Sequence, residues 1–201
     1  MSSPKNKIVQ FKIIYWGPGE AGKTTNFHCL KALFPDNLIS KGFSIETSDH
    51  RTLWNDSIHF EFHLDHLHMD LIIILGTTTG QERFLSTREY ILQNADGVVF
   101  VADSDPEKME ENIRSFDELH SFIGNSKTPL LILLNKRDLP NAIKLKKFRK
   151  EMNLPEEHLD SHGFKTVYES VAVKTKESGD VESVFLDLLQ QIVTKYLSQN
   201  C

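Results

Sequence analysis

Residues Gly17-Pro18-Gly19-Glu20-Ala21-Gly22-Lys23-Thr24 form a complete G-x-x-x-x-G-K-[ST] phosphate loop. The apolar run Phe11-Lys12-Ile13-Ile14-Tyr15-Trp16 precedes it, and a stretch with helical periodicity follows. This placement restricts the fold severely, because a strand must deliver the loop and a helix must carry the chain away. The glycines let main-chain N–H groups curl around phosphate oxygens. The helix start adds unsatisfied N–H donors and the positive end of its dipole. Lys23 suits the outer phosphates as a point charge, and the Thr24 hydroxyl suits Mg²⁺.

With 201 residues, 39% apolar content and a formal charge of −5, the chain reads as one α/β domain spanning 1–201. No apolar run approaches the roughly 20 residues needed to cross a bilayer. Met1-Ser2-Ser3-Pro4-Lys5 lacks both the apolar core of a signal peptide and the glycine that myristoylation needs. Cys29 and Cys201 make no disulfide framework, and Cys201 has no prenylation box after it. Cytoplasmic residence without stable membrane insertion is the expectation. The acidic balance disfavours general nucleic-acid binding. Lys144, Lys146, Lys147, Arg149 and Lys150 read as a solvated helix face.

Apolar strands alternate with amphipathic helices along the chain. Strands are expected at 11–16, 58–64, 69–75, 97–102, 130–134 and 166–171. Phe27, Leu30 and Phe34 recur at helical spacing, and Pro35 ends that helix. Met109, Ile113, Phe116, His120 and Ile123 mark one face of another helix. Val181, Val184, Phe185, Leu188, Leu189, Ile192, Val193, Tyr196 and Leu197 form the stripe of the last. The alternation predicts a mostly parallel six-stranded sheet with helices on both faces, and ligands beyond the carboxyl ends of the strands. His63, His66 and His68 straddle a turn without a cysteine partner and read as solvated residues.

Asn135-Lys136-Arg137-Asp138 follows a buried strand. The Asp138 carboxylate can accept from both N1–H and the exocyclic amine of guanine, a donor pair adenine lacks on that edge. An adenine would leave the carboxylate unpaired, which adds desolvation to the lost attraction. Asn135 can tie the base to the loop, and the stem of Lys136 can cover the ring.

The phosphate loop, Gly80-Gln81-Glu82 and Asn135-Lys136-Arg137-Asp138 occur in the order found in the Ras-like small GTPases, which the chain resembles along almost its whole length. Within them, three stretches look like the MglA branch of polarity and gliding-motility switches: 17–26, 96–104 and 135–142. The Ras-like D-x-x-G is replaced by Thr77-Thr78-Thr79-Gly80, as in MglA proteins. The resemblance implies a three-layer G domain, GTP and GDP as bound nucleotides, and Mg²⁺ as cofactor. It also implies a Roadblock-type activating partner of the MglB kind. It assigns Gln81 to orient the attacking water and Arg51 to act as an arginine finger within the same chain. Thr52 is assigned to Mg²⁺ and γ-phosphate alongside Thr24, with the Gly80 N–H as γ-phosphate sensor. The nucleotide contacts it implies are Gly17, Gly19, Glu20, Ala21, Gly22, Lys23, Thr24, Thr25, Asn135, Lys136, Asp138, Ala172 and Val173. Ala172 is expected to offer its N–H to guanine O6.

Three of these positions carry their own questions. Arg51 also reads as a solvated loop charge, and Thr47 competes with Thr52. Glu20 stands where Ras-like chains often have glycine and is expected to point away from phosphate. Thr77 supplies a neutral hydroxyl where relatives hold a magnesium-bound water by charge, so weaker Mg²⁺ retention and slow hydrolysis are expected. The chain is expected to be monomeric alone. Two rivals remain at this stage: a GTP-binding interaction module with negligible hydrolysis, and an ATP-using transferase, against which Asp138 argues.

Overall fold

The computed structural model describes residues 6–40, 55–77, 90–124, 126–160, 162–173 and 179–200. Seven strands form one sheet: β1 (Lys7–Trp16), β2 (Leu38–Ser40), β3 (Asn55–Leu64), β4 (Met69–Thr77), β5 (Gly97–Asp103), β6 (Leu130–Asn135) and β7 (Tyr168–Glu169). Their spatial order is β2-β3-β4-β1-β5-β6-β7. From β4 through β7 the neighbours run parallel, while β2, β3 and β4 pair antiparallel. Besides short 3-10 turns and the helical residues 90–92, four α-helices lie wholly within the described residues: α1 (Lys23–Leu33), α2 (Met109–Ile123), α3 (Leu145–Glu151) and α4 (Val181–Asn200).

The strand alternation sorts side chains into two cores. Val99 and Val101 of β5 join the core that includes Phe27 and Leu30 of α1 and the α4 stripe. Val98, Phe100 and Ala102 join the other, with Met109, Phe116 and Leu119 of α2 and Phe148 of α3. Every residue of β5 is buried, the continuous apolar run 97–102 and the closing Asp103 alike. Helices thus cover both faces of a mostly parallel sheet, as the sequence pattern implies.

Several details depart from the sequence expectations, among them Arg149, expected on a solvated helix face but buried and bonded to Pro155 O and Glu157 O. The sheet has seven strands, not six, because Leu38–Ser40 pairs with the edge of β3. Three residues are too few to show a period of two. The last strand shrinks from 166–171 to Tyr168–Glu169, and Ser170, still bonded to Leu134 O, forms an isolated bridge with Gly179. The buried face of α2 is Met109, Asn112, Ser115, Phe116 and Leu119, and His120 is exposed. Asn112 enters that face because its amide finds buried partners, whereas the Ser115 hydroxyl is buried without one and only its main-chain carbonyl is used. The Asn112 amide brackets the main chain of Asp103, and the Ser115 carbonyl accepts from Trp16 Nε1 at 3.0 Å.

Phe34, Phe60, Phe62 and Phe185 pack as one aromatic cluster, with ring centroids 5.5 to 6.2 Å apart. The cluster joins the end of α1 and strand β3 to α4. Phe185 is fully buried and touches all three other rings. Phe185→Ala should therefore lower the unfolding free energy by about 3–5 kcal/mol in urea titration. A loss near 1 kcal/mol would mean that the cluster does not anchor the two helices.

Candidate functional site

Strand β1 ends at the fully buried Trp16, and the chain turns through residues 17–22 into α1. Gly17 has φ of 148°, and a Cβ there would lie 2.1 Å from the Val101 carbonyl oxygen. The loop therefore crosses directly over β5, a passage open only to glycine. Gly22 has φ of 95° and is the N-cap of α1. No side chain caps that helix, and no acidic residue lies in its first turn. The first N–H groups are thus left to an anionic ligand.

The Lys23 side chain is buried against the loop, donating to Gly17 O at 2.8 Å and Pro18 O at 2.6 Å. Asn26 donates through Nδ2 to Gly22 O at 2.9 Å. Thr24 and Thr25 are half-buried at the start of α1. Glu20 has φ of 63° and is exposed. Its carboxylate lies within electrostatic reach of Lys108. That ammonium is held above its ordinary range chiefly by its bond to Glu111, with Glu20 and Asp103 contributing.

The base-reading segment meets the loop through one side chain. Asn135, the last residue of β6, donates to Ala21 O at 2.9 Å. Its Oδ1 accepts from the Ser170 hydroxyl at 3.0 Å and from the Ala172 N–H at 3.1 Å. The absent side chain of Gly22 makes this possible, since a Cβ there would lie 2.3 Å from Asn135 Nδ2. Phosphate loop, base-reading segment and the turn after β7 are therefore tied at one point.

Lys136 has φ of 62°, and its ammonium pairs with Asp103 Oδ2 at 2.7 Å. Arg137 turns the other way, pairing through Nε with Glu169 at 2.7 Å and donating to Ile143 O at 2.7 Å. Asp138 is exposed and has no hydrogen-bond or ion-pair partner among the described residues, which leaves its acceptors to a ligand.

The structure brings Gly17, Gly19, Glu20, Ala21, Gly22, Lys23, Thr24, Thr25, Asn135, Lys136, Asp138 and Ala172 to one end of the sheet. The Ala172 N–H, expected at guanine O6, donates here to Asn135. Val173, beside it, is 71% exposed. Thr77 is buried at the end of β4, in register with Tyr15. Arg51, Thr52, Gly80, Gln81 and the alternative Thr47 lie outside the described residues. Sequence reasoning missed Asn26, Asp103, Asn112 and Ser170. The one available signal was a polar residue closing an apolar strand, at Asp103 and again at Ser170 just past β7.

The profile described as the ADP-ribosylation factor family matches residues 1–184. The chain belongs to that family. Mutual gliding-motility protein MglA of Myxococcus xanthus (strain DK1622) is 36% identical over 161 residues, covering 74% of this chain and 78% of that protein. Human ADP-ribosylation factor-like protein 4A is 30% identical over 148 residues, covering 73% of this chain and 68% of its own length. Human ADP-ribosylation factor-like protein 4C is 28% identical over 160 residues, covering 78% and 76%. The chain is accordingly a GTP-binding small GTPase with a Ras-like G domain, and the family's activity is GTP hydrolysis.

Among the described residues no helix is long and apolar enough to cross a membrane, and no group of three or more His, Cys, Asp or Glu residues could hold a metal ion. A magnesium ion would fit only as a partner of hydroxyl and phosphate oxygens, the hard donor set that Thr24 begins.

Gly22→Ala tests the tie between the two loops. A methyl group at that φ is strained and meets the Asn135 amide. The variant should lose about 1–3 kcal/mol of stability and bind GDP at least about tenfold more weakly. Wild-type melting and wild-type affinity together would show that Asn135 does not depend on this glycine.

Proposed function

We propose that this GTPase is a slow GTP/GDP switch of the cytoplasm whose hydrolysis is stimulated by a Roadblock-type partner, in the manner of a polarity or motility regulator. The single observation that carries the nucleotide part is the Asn135 bond to Ala21 O, with Asp138 open beside it. It sets a phosphate cradle and a guanine-selective carboxylate in one fixed frame. The similarity to MglA supports the partner and the cellular role.

In this reading the Gly17–Thr24 main chain and the start of α1 grip the phosphates. Lys23 exchanges its carbonyl partners for phosphate oxygens. Thr24 and Thr52 would hold Mg²⁺, which when bound draws charge from the β- and γ-phosphates. Gln81 orients the attacking water, and Arg51 neutralises charge on the transferring phosphoryl group. The Gly80 N–H reports the γ-phosphate, so the segments around Arg51 and Gly80 differ between the two nucleotide states. Because the chain carries its own arginine, the partner remodels those segments and donates no arginine.

Purified protein supplied with magnesium should prefer GDP to ADP in competition by at least about a hundredfold, and Asp138→Ala should abolish most of that preference. Equal affinity for the two diphosphates would defeat the base assignment. A second reading, a GTP-binding module with negligible hydrolysis, is favoured by the buried neutral Thr77. Single-turnover hydrolysis with and without a Roadblock protein separates the two. On the proposed mechanism, stimulated turnover falls roughly a thousandfold in Arg51→Ala. Unchanged stimulation in that variant would place the arginine elsewhere, and no turnover in wild type would favour the second reading.

A further inference from the structure

Asp103 closes β5 in register with Asn135 on β6, so it stands beside the base-reading segment at the carboxyl ends of two parallel strands. Its side chain is 1% exposed, a costly place for a carboxylate without partners. Oδ2 accepts from Lys136 Nζ at 2.7 Å, and Oδ1 accepts from the Asp105 N–H at 3.0 Å. The residue's own main chain is clamped on both sides by one amide. Asp103 N–H donates to Asn112 Oδ1, and Asp103 O accepts from Asn112 Nδ2, each at 2.9 Å. Both carboxylate oxygens therefore have donors, and the backbone that carries them is held by α2 as well as by its own strand.

Lys136 itself has the left-handed backbone conformation that a side-chain-bearing residue adopts only when its surroundings impose it. Its stem has several rotatable bonds, and a free lysine at 34% exposure would sample many rotamers. Anchoring the ammonium at the far end removes most of that freedom before any ligand arrives. A pre-set stem forms a flat apolar edge at little further entropic cost, which is how preorganisation raises affinity.

We propose that Asp103 is a positioning residue for guanine-nucleotide retention: it holds Lys136 by the ammonium so that the lysine stem is set against the base. The inference rests on the nucleotide reading above and extends it to the buried carboxylate that pairs with the lysine. It also makes Asn112 of α2 part of the base site's support, at one remove.

The test is release of a fluorescent GDP analogue from the purified full-length protein, measured below the lowest melting temperature of the set by circular dichroism. Asp103→Asn keeps the shape and removes the charge, and release should accelerate at least about tenfold. In the Lys136→Met background, Asp103→Asn should add nothing, because the group it positions is already gone. A purely structural role would accelerate release equally in both backgrounds and overturn the inference, as would wild-type release in Asp103→Asn. Should Asp103→Asn not fold, Lys136→Met alone decides. It keeps an apolar stem without the ammonium, so positioning predicts the same acceleration, and unchanged release overturns the proposal. The wild-type comparison of GDP with ADP is run alongside. If wild type prefers GDP but the variants release normally, only the role of Asp103 fails. If wild type shows no preference, the base assignment itself fails.

Discussion

The amide of Asn135 is the joint on which the site depends. It lies at the end of a central strand, is almost fully buried, and makes three bonds at once: to Ala21 O, from Ser170 Oγ and from the Ala172 N–H. An amide has one acceptor oxygen with two lone pairs and two donor hydrogens. Here the oxygen is saturated and one hydrogen reaches the phosphate loop. Aspartate at this position would carry no donor for Ala21, and leucine would strand three polar partners. Buried polar networks of this kind are stable only when complete, which ties the geometry of the three segments together.

That joint explains why the glycines sit where they do. Gly22 lets the Asn135 amide pass, and Gly17 lets the loop cross the Val101 carbonyl. Both close approaches are to parts of the sheet, not to a ligand. The loop is shaped by its own scaffold first, and the N–H groups of the α1 start follow from that shape. The frame is in turn held by the two cores, since β5 and β6 send alternate side chains to each.

The sequence was legible where chemistry repeats or where an unusual residue stands in a fixed motif. Four central strands and the α4 stripe followed from periodicity, because both faces of a parallel sheet must be apolar. The clustering of Gly17, Gly22, Lys23 and Asn135 at one end of the sheet followed from motif spacing. What escaped was set by long-range pairing. β2 is three residues long and exists through its register with β3. The face of α2 turned toward Asn112 because a main-chain site on Asp103, nine residues earlier, satisfies that amide. Asp103 itself looked like the polar end of an apolar strand. Nothing local says that it will meet a lysine thirty-three positions later, since the meeting requires β5 and β6 to be neighbours.

The two lysines of the site show how partner type divides labour between identical side chains. Lys23 donates to two neutral carbonyls, Gly17 O and Pro18 O. A polyphosphate presents full negative charge at the same place, so the ammonium gains by transferring to it. Lys136 instead faces a buried carboxylate that would be left unpaired by any such transfer. Its ammonium is therefore committed, and only its methylenes remain to meet a ligand. On the proposed reading, one lysine is a charge that moves to the nucleotide and the other a fixed surface beside it. The difference follows from what each strand end places opposite the ammonium, not from the lysines themselves.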